Sequence, residues 1–79
     1  MKIRVFVDTN VFIFAFEFPA SNSRVIVDML NEEKIEVIIS EVVIKEVYRY
    51  FRRFHSKELA DDFRRYLFET CTVVFSEEI

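Results

Sequence analysis

Glycine and tryptophan are absent from this chain, and proline, cysteine and histidine each occur once. Without glycine, neither the Walker phosphate loop nor the glycine-rich dinucleotide turn can form, because both need a backbone that closely approaches phosphate. One cysteine (Cys71) and one histidine (His55) cannot supply the ligand set of a structural zinc site, and a lone cysteine closes no internal disulfide. Nothing approaches a membrane span of roughly 18 apolar residues. The amino terminus MKIRVFVDTN reaches Asp8 before any apolar run long enough for a signal peptide. A soluble, cytoplasmic protein is the expectation.

What is present is apolar and aromatic. Of 79 residues, 52% are hydrophobic and 32% charged, with ten Phe and three Tyr. That composition is globular, enough for a single domain over residues 1–79, near the size at which burial only just offsets chain entropy. So heavy an aromatic load on a small body leads us to expect that part of the apolar surface meets another chain.

Along the chain, Ile3 to Val7 is a β-branched and aromatic run that reads as a fully buried strand. Thr9 and Asn10 are cap-type residues before a short apolar helix, Val11 to Phe16, which Pro19 closes. Ser21, Asn22 and Ser23 offer N-caps for a second helix with Ile26, Met29 and Leu30 at helical spacing, and Asn31 suits the left-handed position that ends it. Glu36 to Ile39 reads as a second strand. Ser40 then opens a helix of about fifteen residues, with Glu41 in its first turn and Val43, Val47, Tyr50, Phe51 and Phe54 as its apolar stripe. Ser56 caps a further helix that turns Leu59, Phe63, Tyr66 and Leu67 inward, and Cys71 to Phe75 has strand character. Strands separated by helices predict the α/β class: a parallel sheet with helical crossovers, about three strands and four helices. No repeat, low-complexity segment or linker interrupts the order.

Function turns on the polar exceptions. In parallel α/β sheets ligands bind beyond the carboxyl ends of the strands, and Asp8 in VFVDTNVF stands at such an end. A metal or phosphate site and a simple helix cap both suit an acid there. One carboxylate holds magnesium poorly, so a second acid should approach the same strand ends. Glu46 falls on the border between its helix's apolar stripe and the charged arc of Lys45, Arg49, Arg52 and Arg53. From that border it can reach over the sheet edge; pairing with Arg49, three residues on, or simply a solvated charge is the alternative.

VDTNVF after a first strand, a strand ending at Ser40, and SEVVIKEVYRYF with its Glu six residues past that Ser together resemble the first half of a PIN domain. The resemblance runs from Lys2 to Val74 and implies a PIN-like fold in a family of metal-dependent nucleases that includes the toxins of VapBC toxin–antitoxin pairs. It implies that Asp8 and Glu46 are catalytic acids and metal ligands for Mg²⁺ or Mn²⁺, that Thr9 and Asn10 brace Asp8, and that RNA and an antitoxin are partners to expect. It also implies two later acids on a further helix and strand end. The chain given stops at Ile79, so half of the acidic set and feeble activity are expected, and Glu77 and Glu78 are not assigned the later roles. In the family's sheet order the first strand is central. Its far edge should then be bare and Phe12, Phe14 or Phe16 exposed, with a homo-oligomer as the relief.

Net charge is −3, yet residues 45 to 65 carry seven basic and four acidic residues, a local +3. Lys45, Arg49 and Arg53 lead the candidates for RNA contact, joined by Arg52, Lys57, Arg64 and Arg65, with Tyr48 available for stacking. A solvated face laced with internal salt bridges is the alternative. The competing functional class is a non-catalytic PIN-like module that binds itself or a partner. A phosphotransfer aspartate, as in haloacid-dehalogenase-like phosphatases, is disfavoured because position 10 is Asn where that chemistry needs a second Asp.

Overall fold

The computed structural model describes residues 2–75. Their order is β1 (Ile3–Phe6), α1 (Thr9–Glu17), α2 (Asn22–Asn31), β2 (Ile35–Ser40), α3 (Glu41–Phe54), α4 (Lys57–Thr70) and β3 (Thr72–Val74). The strands form one sheet in the order β1-β2-β3 with both pairings parallel. Each pair of helices is thus a crossover between neighbouring parallel strands, the partial PIN-like α/β arrangement expected of the sequence.

Alternation along β2 builds the core. Ile35, Val37 and Ile39 turn to one face, where they join Phe12 of α1, Leu30 of α2, Val47 and Phe51 of α3 and Leu67 of α4 in a single buried cluster. The Phe51 and Phe63 rings stack at 4.4 Å, and Phe16 meets both edge-on at 5.0 and 5.7 Å. These three rings lock α1, α3 and α4 together, while Phe6, Phe14, Phe18, Phe54, Phe68 and Phe75 stay exposed. Burial pushes the Cys71 thiol above its ordinary range, so it stays protonated and unreactive at neutral pH.

The opposite sheet face is partly polar and fixes the register. Arg4 faces Glu36 across the β1–β2 pairing. The Glu36 carboxylate accepts from Arg4 Nε at 3.3 Å and from Thr72 Oγ1 at 2.9 Å, linking all three strands. A slip of one residue would break this bridge and turn the β2 core residues outward.

Several expectations are corrected. β1 is not fully buried: among the described residues it pairs only with β2, and Ile3 and Phe6 are 71% and 76% exposed. An apolar run has the same composition at the edge of a sheet as at its centre, and here it is the edge. Phe12 is buried at 2% exposure because it points into the β2 cluster, whereas Phe14 and Phe16 are exposed as expected. Phe54, on the expected apolar stripe, is 60% exposed because it lies at the end of α3, past the last packed turn.

Ser21 and Ser56 cap α2 and α4, accepting from Arg24 N at 3.3 Å and Leu59 N at 3.1 Å. The left-handed residue that closes α2 is Glu33, with φ of 60°, and not Asn31, which is the last helical residue. Glu33 N donates to Leu30 O at 3.0 Å and Lys34 N to Met29 O at 2.9 Å, a Schellman closure made without glycine. Holding a side chain in that region costs on the order of 1 kcal/mol. Glu33→Gly is therefore expected to raise the thermal midpoint by about 4–8 °C, as measured by circular dichroism. An unchanged or lower midpoint would contradict the closure.

Candidate active site

The chain leaves β1 still tied to β2, with Val7 N donating to Ile38 O at 3.4 Å. It then turns through Asp8, whose extended backbone makes it the N-cap of α1. One carboxylate oxygen, Oδ1, accepts from Asn10 N at 3.1 Å. Capping and placement at the strand's carboxyl end are thus compatible, since the cap uses one oxygen and leaves an exposed carboxylate at the sheet edge.

Glu46 projects from the second turn of α3 toward the same spot. Its Oε1 accepts from Thr9 Oγ1 at 3.3 Å, and among the described residues it makes no ion pair with Arg49. The polar residues after Asp8 therefore divide their work: the Asn10 backbone holds Asp8, whereas the Thr9 hydroxyl holds Glu46. Asp8, Thr9, Asn10, Ile13, Glu46, Arg49, Tyr50 and Arg53 line one open cleft of about 440 Å³. Two acids and two arginines thus face one space.

Tyr50 packs partly buried on the core, as its place on the apolar stripe predicts, and in addition lines the cleft. The usable signal was its position one turn beyond Glu46 on the same border of α3. Desolvation and then the neighbouring Glu17 carboxylate push its phenol above the ordinary value. The Glu17 carboxylate also accepts from His55 Nε2 at 2.9 Å, so the ends of α1 and α3 are tied beside the cleft.

The basic residues separate into two groups. Arg64 and Arg65 lie near Asp61 and Asp62 at 3.4 and 3.9 Å, as the salt-bridge alternative supposed for the whole run. Lys45, Arg49, Arg52 and Arg53 have no carboxylate in ion-pair range among the described residues, and with Tyr48 they line a second hollow. Lys57 lines neither hollow. Tyr48 is less open to stacking than expected, because the Arg64 guanidinium lies 4.7 Å over its ring.

Hard carboxylate and hydroxyl oxygens are the donors that Mg²⁺ and Mn²⁺ take, so the cleft suits such an ion in type. In number it is sparse: among the described residues no three His, Cys, Asp or Glu side chains gather into a metal-holding group. Glu77 and Glu78 lie outside the described residues. Over residues 4–78 the chain matches the model of a family described as PIN domain. The chain belongs to the PIN domain family. PIN domains are nucleases in general and generally depend on divalent metals, which accords with acids at the carboxyl end of β1. No curated protein and no solved structure gives a significant match to this PIN domain. Among its described residues no helix is long and apolar enough to cross a membrane.

The two roles of Asp8 separate by substitution. Asp8→Asn keeps an oxygen for the Asn10 amide and should leave stability within a few tenths of a kcal/mol, while Asp8→Ala should cost about 1 kcal/mol in chemical denaturation. Equal losses for both would show that the charge, and not the cap, is what α1 needs.

Proposed function

We propose that this PIN domain is a Mg²⁺- or Mn²⁺-dependent endoribonuclease that uses Asp8 and Glu46 as its acidic pair. The observation that carries the reading is the Glu46 side chain, which takes the Thr9 hydroxyl and, among the described residues, makes no ion pair with Arg49 on the cleft wall. An i,i+3 pair with Arg49 would contribute only about 0.2–0.5 kcal/mol, and the carboxylate turns instead toward the amino end of α1 beside Asp8. In this reading Asp8 is a direct ligand through its exposed carboxylate, and Glu46 is a ligand or an acceptor for the attacking water, held in orientation by Thr9. When bound, the metal lowers the pKa of water and offsets charge building on the phosphate. Arg49 and Arg53 hold the non-bridging phosphate oxygens of the scissile group, and Lys45 extends that contact along the RNA backbone. Two carboxylates leave most of a magnesium shell to water and phosphate, so binding by this pair is weak and activity low.

A toxin component of a toxin–antitoxin pair is the biological setting we favour, with an antitoxin as partner, because the PIN family that the chain resembles includes such toxins. A second reading, self-association, draws on the exposed Ile3 and Phe6 along the edge of β1 that is unpaired among the described residues. It predicts a dimer or larger oligomer by sedimentation at micromolar concentration, and a well-folded monomer would count against it.

For the nuclease reading, single-stranded RNA should be cut when Mn²⁺ or Mg²⁺ is supplied and left intact in chelator. Asp8→Asn should lower the rate by at least about a hundredfold, the scale of losing a charge partner at the reacting centre. Cutting that survives both chelation and Asp8→Asn would overturn the site.

A further inference from the structure

We infer that α3 carries a second phosphate subsite, built around Tyr48, on the far side of Arg49 and Arg53 from the acidic cleft. The inference rests on the nuclease reading and narrows its substrate to strands of several nucleotides.

The two hollows share Arg49 and Arg53 as a common wall. The first contains both carboxylates; the second is lined by Lys45, Tyr48 and Arg52 together with that wall, and by no acid. Its cations are organised and not merely crowded. Arg52 Nη1 donates to the Tyr48 hydroxyl at 3.4 Å, and Arg64 reaches across from α4 to lie over the same ring. Guanidinium groups from two helices thus converge on one phenol.

Gathered like charges raise the energy of the empty surface, and an anion seated among them relieves it. Tyr48, with its face taken by Arg64, positions cations and does not stack on a base. Along α3 the basic side chains recur at 45, 49 and 52–53, one turn or about 5.4 Å apart. Successive phosphates of an extended strand have a spacing of the same order. A strand whose scissile phosphate lies in the acidic cleft therefore sets the next phosphate in the Tyr48 hollow. A dinucleoside monophosphate, with one phosphate, occupies the cleft alone.

The test compares the affinities of a single-stranded RNA of roughly ten nucleotides and of a dinucleoside monophosphate, both by fluorescence anisotropy in Mg²⁺, for wild type and Arg52→Ala. The strand-to-dinucleotide affinity ratio should fall about tenfold at low salt, and the log–log salt slope for the strand should drop by about one. Tyr48→Phe, which keeps the ring beneath Arg64 and frees Arg52, should fall between. An unchanged ratio with strand binding intact overturns the subsite and leaves the nuclease reading standing. Wild type that binds no strand overturns both.

Discussion

Parallel pairing of β1 with β2 sets Phe6 opposite Ile38, which brings Asp8 and Ser40 to the same level. Asp8 follows Phe6 by two residues and Ser40 follows Ile38 by two, and each occupies the N-cap position of the helix that leaves its strand. The amino ends of α1 and α3 are therefore neighbours before any side chain is considered. Glu46 comes within reach of Thr9 because it lies in the second turn of one helix and Thr9 begins the other. The same end gathers two positive helix poles, which favour carboxylates and anions there.

That arrangement is held from beneath by apolar packing. A hydrogen bond between exposed side chains contributes on the order of 1 kcal/mol or less, so the link between Thr9 and Glu46 orients the acid without fixing the helices. Fixing them falls to Phe12, Val47 and Phe51, buried against β2, and to the rings of Phe16 and Phe63 packed on Phe51. The cleft is thus a polar rim on a rigid base, with Glu46 on α3 and Asp8 in the short connection that caps α1.

That Asp8 and Glu46 come to one cleft follows from two strong local rules: a polar break after an apolar strand, and a charge at the edge of a helical stripe. The fold class was legible for the same reason, since period and capping residues are local. What escaped reading depends on contacts distant in sequence. The burial of β1 was misjudged because Ile3 and Phe6 have the composition of a central strand, and only the sheet order makes them an edge. The left-handed turn after α2 went to Glu33 and not Asn31 because hydrogen bonds from Glu33 and Lys34 to the preceding turn fix the geometry and override residue preference. Tyr48 had the composition of a stacking residue, and nothing near it in sequence indicated that Arg64, from the next helix, would cover its ring. Tyr50 packs on the core as its stripe position predicts, and what the stripe does not reveal is that it also borders the cleft one turn beyond Glu46.

If Asp8 and Glu46 share one cation, the ion's location is the most direct measurement. Paramagnetic broadening of amide signals by substoichiometric Mn²⁺ should centre on residues 8–10 and 46–50 and vanish in a chain carrying both Asp8→Asn and Glu46→Gln. Broadening spread over other surface acids, such as Asp61, Asp62, Glu32 and Glu33, or unchanged in the double variant, would contradict the account.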